Sequence, residues 1–187
     1  VSFRVLVIPE DPTNNGYILK PLVERMLAET GKPNARVVVL TNPRLHGYAC
    51  AVAAIGDELA ERYRHFDLWL FMPDADRASS AELDRLERTI QEKGVCLRCC
   101  AARPEVEAWL LAGHRQHLKI GWSEVAAHPR LKEEIFDPFL RDHGEPRSAG
   151  GGREALMRIT LSNYRSLLDL CPELNQLDQR LRQLPGY

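Results

Sequence analysis

The sequence predicts an α/β fold: a mostly parallel four-stranded sheet with helices on both faces, followed by a helical C-terminal extension. Two observations carry this. Short, near-continuous apolar runs alternate with amphipathic helical stretches four times between residues 3 and 113, as expected for strands buried on both faces and joined by helical crossovers. From residue 114 onward the chain shows no convincing strand. The predicted division is therefore residues 1–113 for the α/β core and 114–187 for a helical extension packed on the same domain. A chain of 187 residues is long enough for one domain with a real core.

The elements follow in order. Phe3 to Ile8 is apolar and rich in β-branched residues, and reads as a strand ending at Pro9-Glu10. Ile18, Leu19, Leu22, Val23, Met26 and Leu27 recur at helical spacing, and Gly31 stops that helix. Arg36 to Leu40 is the second strand, with a turn at Thr41-Asn42-Pro43. Tyr48 to Tyr63 is Ala-rich and reads as one helix, with Val52, Ile55 and Leu59 on one face. Asp67 to Met72 is the third strand. Ser79 and Glu82 fit a capping box before a helix with the stripe Leu83, Leu86, Ile90 and a stop at Gly94. Val95 to Ala101 is the fourth strand. Pro104 suits the first turn of a helix that carries Val106, Trp109, Leu110 and Leu111 and ends at Gly113. In the extension, Gly144 to Gly152 reads as a flexible loop, and Arg153 to Cys171 and Pro172 to Leu184 as two helices.

Composition is that of an ordinary folded protein, 44% apolar and 27% charged. With 25 basic and 26 acidic residues the net charge is −1, so global charge points to neither nucleic acid nor membrane. A nucleic-acid site has to be a local basic patch. No apolar run approaches the ~20 residues of a membrane span, and no signal-peptide pattern stands at the start, which is Val1. The five cysteines are odd in number and irregularly spaced. They do not form a disulfide framework and predict a reducing, cytoplasmic setting.

Chemistry in an open parallel sheet gathers at the carboxyl ends of the strands. Glu10 follows the first strand, Asp74 and Asp76 the third, and Glu105 and Glu107 the fourth. If those strands are neighbours, five carboxylates converge on one edge. Hard oxygen ligands in that number suit Mg²⁺, with Mn²⁺ as a substitute, in phosphoryl transfer or phosphodiester cleavage. Plainer roles compete. Asp76 would favour the start of the next helix electrostatically, and Glu105 and Glu107 would do the same for theirs. Spacing does not choose between Glu105 and Glu107, which are two apart on a helix and share no face. Arg77 and Arg103 stand beside the acids, as cations for a phosphate or as ion-pair partners. Ser148 to Arg153 opens a helix with glycines, and Arg147 and Arg153 flank it, a setting for phosphate contact or a plain linker. Cys96-x-x-Cys99-Cys100 with His114-x-x-His117 does not read as zinc, because strand residues three apart point to opposite faces.

The stretches Phe71-Met-Pro-Asp-Ala-Asp-Arg77 and Arg103-Pro-Glu-Val-Glu-Ala-Trp-Leu-Leu-Ala112, with Glu10 upstream, resemble the Toprim domain. That Rossmann-like domain is the core of topoisomerases, bacterial primases and overcoming-lysogenization-defect nucleases. Within it the chain is similar to a family of small Toprim-like proteins often encoded beside an ABC-type ATPase. The resemblance covers residues 3 to 113. It implies Mg²⁺-dependent chemistry on nucleic acid, DNA or RNA, in a phage-defence setting with an ABC-type ATPase partner. It makes Glu10 the general acid or base or a metal ligand, and has Asp74 and Asp76 hold the cation. Glu105 or Glu107 would complete a second metal site. Three departures stand out. Asp11 and Pro12 replace the glycine that usually follows the glutamate, Ala78 replaces the third acid of the topoisomerase pattern, and no tyrosine motif or zinc ribbon is present. The expected function is therefore a Mg²⁺-dependent nuclease, the effector subunit of a defence system, rather than a topoisomerase or primase. The alternative is a non-catalytic regulatory module that binds metal, nucleotide or partner at the same acidic edge. A phosphatase of small substrates is a third reading.

Overall fold

The computed structural model describes residues 2–11 and 13–184. Four strands, β1 (Arg4–Pro9), β2 (Arg36–Val39), β3 (Leu68–Met72) and β4 (Leu97–Cys99), form one sheet in the order β2-β1-β3-β4, with every pair parallel. The chain is thus an α/β fold with a helical extension. β2 lies on one side of β1 and β3 on the other, so the strand order reverses between β1 and β3. That reversal opens a crevice at the carboxyl ends of these two strands.

Burial on both faces explains the continuous apolar runs. Val5 and Val7 of β1 and Leu68, Leu70 and Met72 of β3 belong to one core. Leu6, Ile8, Trp69 and Phe71 belong to the other. The first core is covered by α1 (Gly16–Glu29), α5 (Val106–Leu111) and the extension, whose helices are α6 (Trp122–Val125), α7 (Asp137–His143), α8 (Arg153–Leu161), α9 (Tyr164–Leu170) and α10 (Pro172–Arg182). The second is covered by α2 (Tyr48–Gly56), α3 (Glu58–Arg62) and α4 (Ser80–Glu92). The extension therefore completes one whole layer of the domain. Gly113 makes its docking possible, since a Cβ there would lie 2.4 Å from Thr160 Oγ1. Thr160 in turn donates to Leu110 O at 2.6 Å.

Several boundaries differ from expectation. The helix predicted over Tyr48 to Tyr63 breaks into α2 and α3 at Gly56-Asp57. Glycine is the weakest helix former there, and the Lys93 ammonium takes the Gly56 carbonyl that the break frees. The helix predicted over Arg153 to Cys171 divides at Asn163, whose Oδ1 accepts from Ser166 N at 3.2 Å and caps α9. The Ser79–Glu82 capping box forms as predicted and starts α4. β4 is shorter than the apolar run Val95 to Ala101, because pairing extends only where β3 faces it. Pro104 lies outside α5, with Glu105 in extended conformation at the N-cap.

Gly144 to Gly152 is a compact turn. Gly150, Gly151 and Gly152 all have positive φ, at 62°, 64° and 94°. A Cβ on Gly152 would sit 2.5 Å from Glu145 N, and one on Gly150 2.5 Å from the Tyr17 ring. Gly152→Ala meets backbone in a left-handed conformation, so a loss of about 2 kcal/mol or more is expected. Urea unfolding of the variant beside Gly151→Ala checks this. Gly151 shares the positive φ, but its Cβ would meet only the Arg153 guanidinium at 3.6 Å. An equal loss in both would assign the whole effect to φ.

Candidate functional site

Pro9 ends β1 and leaves Glu10 just beyond the sheet, half-buried in the crevice. Beyond β3, the chain is tied to the segment after β4. Ala102 N donates to Pro73 O at 2.8 Å, Ala75 N donates to Ala102 O at 2.9 Å, and Asp74 and Ala102 form an isolated parallel bridge. This fixes Asp74 between the ends of β1 and β4. Its backbone N–H donates to Glu10 Oε2 at 3.3 Å. Its own Oδ1 accepts from Val106 N at 2.9 Å, so Asp74 caps the start of α5 from a neighbouring strand. Glu10 and the Asp74 backbone thus meet at the strand-order reversal, with the Asp74 carboxyl turned to Val106 and close enough to feel the charge of Glu10.

The others take different positions. Asp76 lies on a 3₁₀ turn, Ala75–Arg77, with its side chain exposed. Arg77 closes that turn, and its side chain lies outside the described part of the structure, as does Pro12. Glu105 is part-buried, with Oε2 shut from solvent and without a hydrogen-bond partner. Glu107 is 2% exposed and turns toward the extension, where Lys132 Nζ lies 3.7 Å from its Oε1. Arg103 is exposed two positions before Glu105. Arg147 is exposed on the glycine turn. Arg153 is buried there, with Nη1 donating to Gly150 O at 2.8 Å and its guanidinium 5.3 Å from the centre of the Phe136 ring.

Burial and like charge set the electrostatics. Burial pushes the Asp74 carboxyl up from 3.8 to about 7, and the charges of Glu107, Glu10 and Glu105 add to it, against the Val106 hydrogen bond. Burial likewise pushes Glu105 up to about 7, helped by Glu107 and Glu133 and opposed by Lys132. Burial also raises Glu107, with Lys132 as the main opposing influence. Asp74 therefore sits in a poorly hydrated region under the charges of three other carboxylates, Glu107, Glu10 and Glu105. Lys132 is the nearby cation that sequence reasoning missed. Nothing in Leu131-Lys132-Glu133 distinguishes it from a solvated helix face; the ion pair arises only because the extension folds back onto α5.

Among the described residues, no group of three or more His, Cys, Asp or Glu side chains is placed to hold one metal ion. Mg²⁺ asks for less, since it usually binds one or two carboxylates and keeps several waters. Glu10 and Asp74 supply hard oxygens of that kind. The buried, unpartnered Oε2 of Glu105 is a third oxygen in the same acidic neighbourhood. The donor chemistry therefore fits Mg²⁺, with Glu10 and Asp74 as the residues to hold it. No protein-family model, curated protein or solved structure matches the chain.

Proposed function

We propose that the chain is a Mg²⁺-dependent nuclease of Toprim type, with Glu10 and Asp74 at its centre. The observation that carries this reading is the Asp74 N–H donating to the Glu10 carboxylate across the crevice between β1 and β3, which brings the two acids within each other's electrostatic reach. There Asp74 is held near neutrality by burial and by neighbouring acids. A divalent cation would relieve that repulsion. When bound, Mg²⁺ supplies a Lewis acid for the phosphate oxygens. The chain's own residues do the rest. Glu10, half-buried at the mouth, takes the proton of a water that attacks phosphorus as the P–O bond to the leaving strand breaks. Lys132, with its side chain 38% exposed beside Glu107, offsets charge on the phosphate. Since the chain's net charge is −1, much of the grip on nucleic acid falls to a partner, an ABC-type ATPase in the defence setting that the resemblance implies.

A second reading has its own support. Asp74 caps α5 through Val106 N, a structural role that needs no cation. A regulatory module that binds metal, nucleotide or a partner at this edge without cleavage would keep the same contact. The deciding experiment is cleavage of plasmid DNA, single-stranded DNA and total tRNA with Mg²⁺ or Mn²⁺ against EDTA, with and without an ABC-type ATPase of the kind the resemblance implies. Glu10→Gln and Asp74→Ala run in parallel. Metal-dependent cleavage lost in both variants supports the nuclease. Intact substrates under every condition leave the binding module.

A further inference from the structure

Arg103 stands between two cavities that open beside the acidic edge. One, of about 160 Å³, reaches from Ala75, next to Asp74, past Arg103 to α4 and α10. The other, of about 350 Å³, lies between α6 and the junction of α9 with α10. Arg103, Glu173 and Gln176 line both. The cavities therefore adjoin, one reaching Ala75 and the other Trp122.

The second cavity has the chemistry of a base-stacking site. Trp122, Leu170 and Pro172 supply its apolar lining, and Arg103, Glu173 and Gln176 its polar lining. Trp122 is held in place by its Nε1, which donates to Leu170 O at 3.1 Å. It is part-exposed, whereas Trp69 and Trp109 are fully buried. Glu173 is already engaged, its Oε1 accepting from Trp109 Nε1 at 2.8 Å. That leaves the exposed Gln176 amide as a donor and acceptor for a polar edge, and Arg103 as the charge for a phosphate. A fixed indole, an amide and a guanidinium are the groups that receive an unpaired base and its phosphate. A wall of indole, leucine and proline does not suit a phosphate alone, and only an unpaired base exposes both the face and the edge that these groups would meet.

We propose that this cavity is a subsite for one unpaired nucleobase of a single strand. The base lies against Trp122, its phosphate lies at Arg103, and the strand continues over Glu10 and Asp74. The position of the strand rests on the nuclease reading; the subsite adds the substrate class, single-stranded nucleic acid.

Trp122 makes the test direct, because the other two tryptophans are shut from solvent. The full chain is titrated with a short fluorescein-labelled oligonucleotide, single-stranded or as a duplex of the same sequence. Titrations are run in EDTA and again with Mg²⁺ using Glu10→Gln. Anisotropy of the label reports binding, and unlabelled strand is used to follow tryptophan emission. The expected result is saturable quenching by the single strand and markedly weaker binding of the duplex. Trp122→Ala should weaken single-strand binding about tenfold, Arg103→Ala and Gln176→Ala should also weaken it, and Trp122→Phe should retain most of it. Arg103 and Gln176 are exposed, so their variants keep the test open if Trp122→Ala fails to fold. Single-strand binding with unchanged tryptophan emission and indifferent variants would overturn the subsite, as would equal binding of duplex or no binding. If the native chain cleaves nucleic acid while Trp122→Ala and Arg103→Ala leave single-strand KM unchanged, the subsite alone fails. Quenching and variant-sensitive binding without metal-dependent cleavage by the native chain keep the subsite and remove the nuclease reading.

Discussion

Asp74→Asn is expected to melt about 5 °C above the native chain at pH 8 and to lose Mg²⁺-dependent cleavage. The stability gain follows from the sign of the pKa shift. Asp74 titrates near 3.8 when unfolded and is raised to about 7 in the fold, chiefly by burial and then by neighbouring acids. Between those values the folded state holds the proton more tightly than the unfolded state does. Stability is therefore fully present below about 3.8 and is lost as the pH rises toward 7. Asparagine removes the charge and keeps an oxygen for Val106 N. The expected gain at pH 8 is about 2 kcal/mol, which in a chain of this size is several degrees. At pH 3.5 the two proteins should melt together. Added Mg²⁺ should raise the melting temperature of the native chain at pH 8 and not that of the variant. Thermal unfolding at the two pH values, with and without Mg²⁺, measures all of this. If Asp74→Asn were less stable than the native chain at pH 8, the stronger hydrogen bond from Val106 N to a charged carboxylate would outweigh the burial of that charge, and the acidic edge would be a structural feature.

Lys132→Met should destabilise the fold by about 2 kcal/mol at pH 8, and Glu107→Gln added to it should restore most of the loss. Glu107 is 2% exposed and Lys132 Nζ is 3.7 Å from its Oε1. Removing one partner of a buried pair strands the other charge, at about 3–5 kcal/mol when both are fully buried. The lysine is 38% exposed, so water screens part of the interaction and the smaller figure applies. The pH dependence has a fixed direction. Burial already raises Glu107 above 4.5, and Lys132 is the main influence holding it down. Without the lysine the folded state favours the protonated acid further, so the variant's deficit grows as the pH rises above about 4.5 and shrinks toward it. Urea unfolding of the single and double variants at pH 5 and pH 8 reads out both effects. Cleavage measured on the same proteins separates two roles of Lys132. Activity that returns with stability in the double variant assigns it to holding Glu107. Activity that stays lost assigns it to the phosphate.

The strands and the starts of α2, α4, α8 and α10 were legible from the residues alone, whereas α6 and α7 were not. Continuous runs such as Leu68 to Met72 are apolar at every position because both faces of β3 are covered. The capping box at Ser79 and Glu82 is a contact three residues long and needs no distant partner. Helix interruptions were harder to see. Gly56-Asp57 and Asn163 break helices whose apolar periodicity runs straight through them, and the freed groups are met by Lys93 and by a local cap. Periodicity records which face is buried and says little about whether the axis continues.

In the acidic edge the same boundary runs between near and distant contacts. The placement of Glu10, Asp74, Asp76, Glu105 and Glu107 after strands was visible, because strand ends and loop acids are local features. Which of them share an environment depended on strand order and on the extension. The order β2-β1-β3-β4 brings Glu10 to Asp74, and the ties between the segments after β3 and β4 bring Asp74 to Val106. Asp76, one turn farther along, is left facing solvent. The choice between Glu105 and Glu107 turns on residues more than twenty positions away. The extension packs over α5 and sets Lys132 against Glu107, while Oε2 of Glu105 stays unpartnered. The physical reason is that patterns of two and three to four residues encode the element and its buried face. Pairing of charges across elements depends on how those faces dock, which no short pattern carries.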